Sequence, residues 1–122
     1  MPWFKVDDTL HSHPKPRKAG LEALGLWSLA GSYSMAYKTD GFVPDWFVIS
    51  WPKGKRLADV LVKGGMWEIG EKDGEAGWFF HDWHHYQPSA DEIEQDRENA
   101  RDRQRKRREK LRKARADGGD PS

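Results

Sequence analysis

A chain of 122 residues with 21 Lys plus Arg, 20 Asp plus Glu and no cysteine has room for one small packed core and no disulfide to staple it. Its seven tryptophans, five phenylalanines and three tyrosines all precede residue 87, so the core belongs to roughly the first 88 residues and the remainder lies outside it. The net charge of +1 excludes a uniformly basic or acidic protein, but it conceals a sharp segregation along the chain.

Through Pro88 there are 10 basic and 11 acidic residues, a net of −1. Ser89 to Ala100 carries one arginine against five acids, and Arg101 to Arg115 carries ten basic residues against Asp102 and Glu109, a net of +8. Met1 to Asp8 shows no basic segment followed by an apolar run, so no secretory signal is read there. Leu21 to Tyr37 is interrupted by Glu22, Gly25, Ser28, Gly31, Ser32 and Ser34 and falls short of the ~20 apolar residues of a spanning helix. Absence of cysteine suits a reducing cytosol. A soluble, cytoplasmic protein without a membrane partner is expected.

In chain order, an extended opening over Trp3 to Val6 leads into His11-Ser-His-Pro-Lys-Pro-Arg-Lys18, read as turn or helix approach. A first helix is expected from about Lys18 to Tyr37, with Leu26, Ala30, Tyr33 and Tyr37 on one face. Gly25, Ser28, Ser32 and Ala36 form a neighbouring small-residue strip open to another helix. Thr39-Asp40-Gly41 signals a turn and Phe42-Val43 a short strand. Pro44 suits the first turn of a second helix reaching about Ser50, followed by a turn over Trp51 to Lys55.

The stretch from Arg56 to Trp83 is the most informative. Leu57, Val60 and Leu61 make an apolar stripe at i, i+3 and i+4. Gly64 and Gly65 end the helix by entering the left-handed region. Trp67 and Ile69 alternate with Glu68 on one strand, Glu71 to Gly77 is turn-rich, and Trp78 to Trp83 supplies an aromatic second strand. Helix, strand, helix, turn, helix, hairpin predicts an α+β winged helix-turn-helix over residues 1–88, with Leu57, Val60, Leu61, Trp67 and Trp27 in one core.

Pro88 stops earlier structure, and Ser89 with Glu92 three residues on is the capping-box spacing. A charged C-terminal helix is therefore expected over residues 89–116, helical from about Ala90 to Arg115 and on the order of 40 Å long. After Ala90 at its start, Ile93, Ala100, Leu111 and Ala114 are its only apolar residues up to Arg115, too few for a coiled-coil seam. Asp117-Gly-Gly-Asp-Pro-Ser122 reads as a disordered end.

The basic block is the strongest functional signal. Arg101, Arg103, Arg105, Lys106, Arg107, Arg108, Lys110, Arg112, Lys113 and Arg115 can contact phosphates and release counterions. The cations of the third helix and its approach, Lys53, Lys55, Arg56 and Lys63, are expected to add phosphate contacts. That helix offers no Asn or Gln for adenine, and only Arg56 suits guanine. The histidines cluster as His11-x-His13 and His81-x-x-His84-His85, without a cysteine. They are read as structural, with His81 and His84 packed among Trp78, Phe80, Trp83 and Tyr86, and no metal or other cofactor is expected. Asp7, Asp8 and Asp40 are read as turn and cap residues. There is no Gly-Lys-Ser/Thr phosphate loop and no Gly-x-Ser-x-Gly elbow, so no enzyme is expected.

Trp3-Phe-Lys-Val-Asp-Asp8, His13-Pro-Lys15, Gly25-Leu-Trp27, Asp40-Gly-Phe-Val-Pro44, Leu61-Val-x-Gly-Gly-x-Trp67, Phe80-His-Asp-Trp83 and Tyr86-Gln-Pro-Ser89, followed by the arginine-rich tail, resemble small proteins of actinobacterial phages. Through them the chain resembles the N-terminal winged-helix domain of phage replisome organisers and DnaD-type primosomal proteins. The resemblance implies a phage DNA-binding protein of replication or transcriptional control, acting on double-stranded DNA in the bacterial cytoplasm and associated with the nucleoid when bound. It assigns no individual DNA-binding residue. Fuller organisers continue into a second domain, so helicase loading is not expected of a chain ending in one basic helix. Two other readings are an effector that binds a host replication protein through the aromatic body, and a self-associating homo-oligomeric scaffold.

Overall fold

Glycine at position 20 separates the proline-bearing segment from the apolar helix that follows it. In the computed structural model, which describes residues 3–118, a 3-10 turn spans Leu10–Ser12 and is followed by α1, Pro14–Ala19, and α2, Leu21–Tyr37. Pro14 opens α1, where its missing N–H costs nothing, and the His13 side chain accepts from the Lys15 N–H. Gly20 has φ +88°, a conformation that L side chains resist. The helix expected from about Lys18 to Tyr37 begins at Leu21, and the proline-bearing approach is itself helical.

The rest of the first unit is β1 (Phe42–Pro44), α3 (Asp45–Ile49), α4 (Gly54–Lys63), β2 (Trp67–Lys72), β3 (Glu75–Phe80) and α5 (Trp83–Tyr86). The strands form an antiparallel sheet in the order β1-β3-β2. Val43 and Ile69 flank Trp78 from the two sides. A buried polar knot joins α2 to β1. The Gly41 N–H donates to Ser34 Oγ at 2.8 Å, Ser34 Oγ lies 2.6 Å from Thr39 Oγ1, and Thr39 Oγ1 donates to the Phe42 carbonyl at 2.7 Å.

The hairpin is longer and tighter than the turn-rich composition suggests. Asp73 and Gly74, both at positive φ, make a two-residue turn between the paired Lys72 and Glu75, the Asp-Gly chemistry of a type I′ hairpin. Glu71 and Ala76 are strand residues because the hairpin projects past the core and needs no apolar face there. Ile69 is 76% exposed although its cross-strand partner Trp78 is buried, because β2 is an edge strand of the sheet. The second strand ends at Phe80. Asp82 turns at φ +55°, and Trp83 is buried on α5, not on the strand.

The single face expected of α2 is divided by the packing. Ala23, Leu26, Ala30, Ser34 and Met35 are buried, whereas Tyr37 is exposed, Tyr33 half-buried, and the strip of Gly25, Ser28, Ser32 and Ala36 faces outward. Phe4 explains part of the division. Its ring packs on Trp27 at 5.0 Å and stacks on Trp83 at 5.9 Å, and a Cβ at Gly31 would meet it at 2.3 Å. The Gln87 side chain holds this N-terminal segment by accepting from the Lys5 N–H at 2.9 Å and donating to the Lys5 carbonyl at 2.6 Å.

α4 is turned as well. Its fully buried ridge is Gly54, Ala58 and Leu61, while Leu57 and Val60 are only half-buried. Small residues at 54 and 58 bring the helix backbone close to α3. A Cβ at Gly54 would lie 1.8 Å from the Val48 carbonyl oxygen. Gly54→Ala should therefore destabilise by about 1–3 kcal/mol through overpacking, although alanine is the better helix former. Denaturant unfolding checks this, and an alanine variant at least as stable as the parent would refute the close approach. After the helix, Gly64 keeps a right-handed conformation and Gly65 alone, at φ +75°, takes the positive one.

The chain divides after Ser89 into two compact units. The second is α6, Ala90–Gly118, about 44 Å long. It runs beyond the expected end at Arg115. Of the end read as disordered, Asp117 and Gly118 belong to the helix and residues 119–122 lie outside the described ones. Among the described residues no helix is long and apolar enough to cross a membrane.

Candidate nucleic-acid interface

Because Gly54, Ala58 and Leu61 point inward, the opposite face of α4 is presented to solvent. Lys55, Arg56, Asp59 and Lys63 are all exposed there. Lys53 precedes the helix in a left-handed conformation and lies 3.6 Å from Glu22, an exposed pair worth at most about 1 kcal/mol. The structure therefore gathers Lys55, Arg56 and Lys63 on one surface with one acid among them. Arg56 is the only side chain of this face with the fork for bidentate contact. The adjacent hairpin is acidic at its tip, with Glu71, Asp73 and Glu75 around Lys72. Lys72 Nζ is turned back to donate to the Thr39 carbonyl at 2.7 Å.

α6 carries the ten remaining candidates on one continuous helix. Arg101, Arg103, Arg105, Lys106, Arg107, Arg108, Lys110, Arg112, Lys113 and Arg115 are all exposed. Within Asp102 to Arg115 the ion pair found among the described residues joins Arg105 to Asp102 at 3.0 Å. Acids crowd the first turns of the helix and cations the last, which its macrodipole favours.

The histidines do not pack as expected. His81 and His84 are exposed, and His81 lies between two carboxylates, with Nδ1 3.0 Å from Glu68 Oε1 and Nε2 3.1 Å from Asp82 Oδ2. The alternation of β3 turns Phe80 inward and hence His81 outward. Among the described residues no group of three or more His, Cys, Asp or Glu is placed to hold a metal ion. Chelator is accordingly expected to leave the melting temperature unchanged, and one equivalent of zinc whose removal unfolds the protein would refute this. Asp7 acts in a turn. Its carboxylate accepts from the Thr9 N–H and hydroxyl, both at 2.8 Å, which hold its pKa below the ordinary carboxylate value. The cavity beside Phe4, Trp27, Phe80 and Trp83 measures about 150 Å³, below the ~300 Å³ at which ligand pockets usually begin.

One surface escaped the sequence reading. Tyr33 packs against Tyr37 at 5.0 Å, Phe47 at 4.7 Å and Trp46 at 5.7 Å, and Phe47 continues to Trp51 at 6.1 Å. The outer rings of this connected aromatic face stand in water, while Tyr33 and Phe47 at its centre are half-buried. Tyr37 is 72% and Trp46 55% exposed, and Ile49 is exposed beside them in sequence. Trp46 Nε1 donates to Glu75 Oε1 at 2.7 Å, and the Tyr33 hydroxyl is pushed above its ordinary pKa by burial and by Glu75 and Tyr37. The available signal was the spacing of Tyr33 and Tyr37, which equally describes a core stripe. Compared with family models, curated proteins and solved structures, the chain matches none.

Proposed function

We propose that this is a non-catalytic, cofactor-free DNA-binding protein whose affinity resides in Arg101 to Arg115. One observation carries the reading: ten exposed cations with only two acids occupy fifteen successive residues of one helix. Such a density of arginine and lysine gains chiefly from neutralising phosphates.

The first unit is a winged helix-turn-helix in this reading. The order helix, strand, helix, helix, hairpin supports it, as does the placing of β1 beside β3 rather than beside β2. α4 then occupies the recognition position with Lys55, Arg56 and Lys63, while the acidic hairpin tip turns away from phosphate. These features agree with the resemblance to phage replisome organisers, and the protein acts in replication or transcriptional control within the bacterial cytoplasm, on the nucleoid when bound. Titration of the full chain against duplex DNA, single-stranded DNA and RNA at two salt concentrations tests the proposal. Duplex binding that weakens steeply with salt is expected, and no salt-sensitive binding would overturn it.

The exposed aromatic face favours a second reading. Contiguous apolar surface on a small monomer often marks a protein contact, and the occupant would be a host replication protein or a second copy of this chain. A dimer mass in solution that reverts to monomer on substituting Trp46 and Tyr37 would support the homo-oligomer.

A further inference from the structure

The cations of α6 are not spread evenly around it. On a helix advancing about 100° per residue, Arg101, Arg105, Arg108, Arg112 and Arg115 fall within roughly 80° of one another. These five, all arginine, recur at intervals of four, three, four and three residues and keep to one side for about 21 Å. Arg103, Lys106, Arg107, Lys110 and Lys113 lie on the opposite side, their centre about 180° away. Two strips separate these walls. One carries Asp102 and Glu109, and the other carries Gln104 and Leu111; all four side chains are exposed.

From this we infer that α6 lies in the major groove of duplex DNA with Gln104 and Leu111 on the bases and Asp102 and Glu109 toward solvent. The inference rests on the nucleic-acid reading proposed above and adds the orientation. A major groove about 12 Å wide admits one α-helix and places a phosphate strand along each side of it, which two opposed basic walls match and a single basic face does not. The two strips are chemically unequal. Carboxylates are repelled by a phosphate-walled groove, so the acidic strip is the one left outside, with Asp102 already engaged by Arg105 at 3.0 Å. The opposite strip brings an amide suited to adenine N6 and N7 and an apolar side chain suited to a thymine methyl. Gln104 and Leu111 are seven residues apart, about 10.5 Å along the axis, or about three base-pair steps of 3.4 Å. Single strands have no opposed phosphate walls, and the major groove of A-form RNA is too deep and narrow to be read by side chains.

A charge-conserving swap tests the orientation. The double variant Gln104→Glu with Glu109→Gln keeps the net charge and, because the two residue types have nearly equal helix propensity, keeps the helix, but it moves a carboxylate from the outer strip to the groove floor. Duplex affinity of the full chain should fall roughly tenfold, the scale of a lost base-edge contact, while affinity for single-stranded DNA stays within about twofold. Bound wild-type protein should also shield guanine N7, in the major groove, from dimethyl sulfate and leave adenine N3, in the minor groove, reactive. If wild-type protein binds duplex in a salt-sensitive way but the swap changes nothing, or weakens single-stranded binding equally, or N7 stays reactive, the orientation is wrong and the function stands. If wild-type protein shows no salt-sensitive binding to duplex, both fall together.

Discussion

Cutting the chain after Ala100 is expected to remove nearly all affinity for duplex DNA and leave the body folded. The division between the two units falls after Ser89, and every aromatic residue precedes residue 87, so the cut removes no core side chain. What it does remove is the net +8 of Arg101 to Arg115. The body carries a net of −1 and cannot supply long-range attraction to phosphate. If six of the ten cations contact phosphate, log K for the full chain should fall with log salt at a slope of about −5. Substituting Lys55 and Arg56 should weaken binding less than the truncation, and if α4 enters a groove it should shift sequence preference more than affinity. Binding isotherms at several salt concentrations measure all three. A truncated protein that retains nearly full affinity would place the interface on the body.

Replacing Leu61 with alanine should cost roughly 2–5 kcal/mol. Leu61 is fully buried, as are Ala58 on its own helix, Ala30 on α2 and Val43 on β1, and α4 packs on both α2 and β2. The void left by the deleted atoms would open where helices and sheet meet, so relaxation of one element is opposed by the others. In a domain of this size each 1 kcal/mol moves the melting temperature by about 4–8 °C, so a fall of roughly 10 °C or more is expected. An unchanged melting temperature would mean that Leu61 is not at the centre of this core. Trp67 is expected to behave alike, being 1% exposed, whereas Ile69→Ala on the exposed part of β2 should change stability little.

What could be read from the residues alone was whatever rests on local chemistry. Pro88 and the charge change after it mark the end of the body. The turn-rich stretch Glu71 to Gly77 marks a hairpin, within which the structure tightens the turn to Asp73-Gly74, and the net +8 of Arg101 to Arg115 needs no fold to be seen because every residue of that block stays in water. The order of helix, strand, helix, helix and hairpin was legible for the same reason, since each boundary carries its own glycine, proline or turn signal. The faces were not. Apolar residues surround α2, and with Leu26, Trp27, Ala30, Tyr33, Met35 and Tyr37 all available, periodicity cannot choose which of them go inward. Tertiary packing made that choice: Phe4, distant in sequence, occupies the side of Gly31, and Tyr33 is drawn to the rings of α3. Likewise Gly54 contributes almost nothing to a hydrophobic pattern, yet it sets the rotation of α4, because only a residue without a Cβ lets the helix backbone meet the Val48 carbonyl. The outward set of Lys55, Arg56, Asp59 and Lys63 was itself legible from the charge pattern; what the rotation decided is that Leu57 and Val60 are only half-buried.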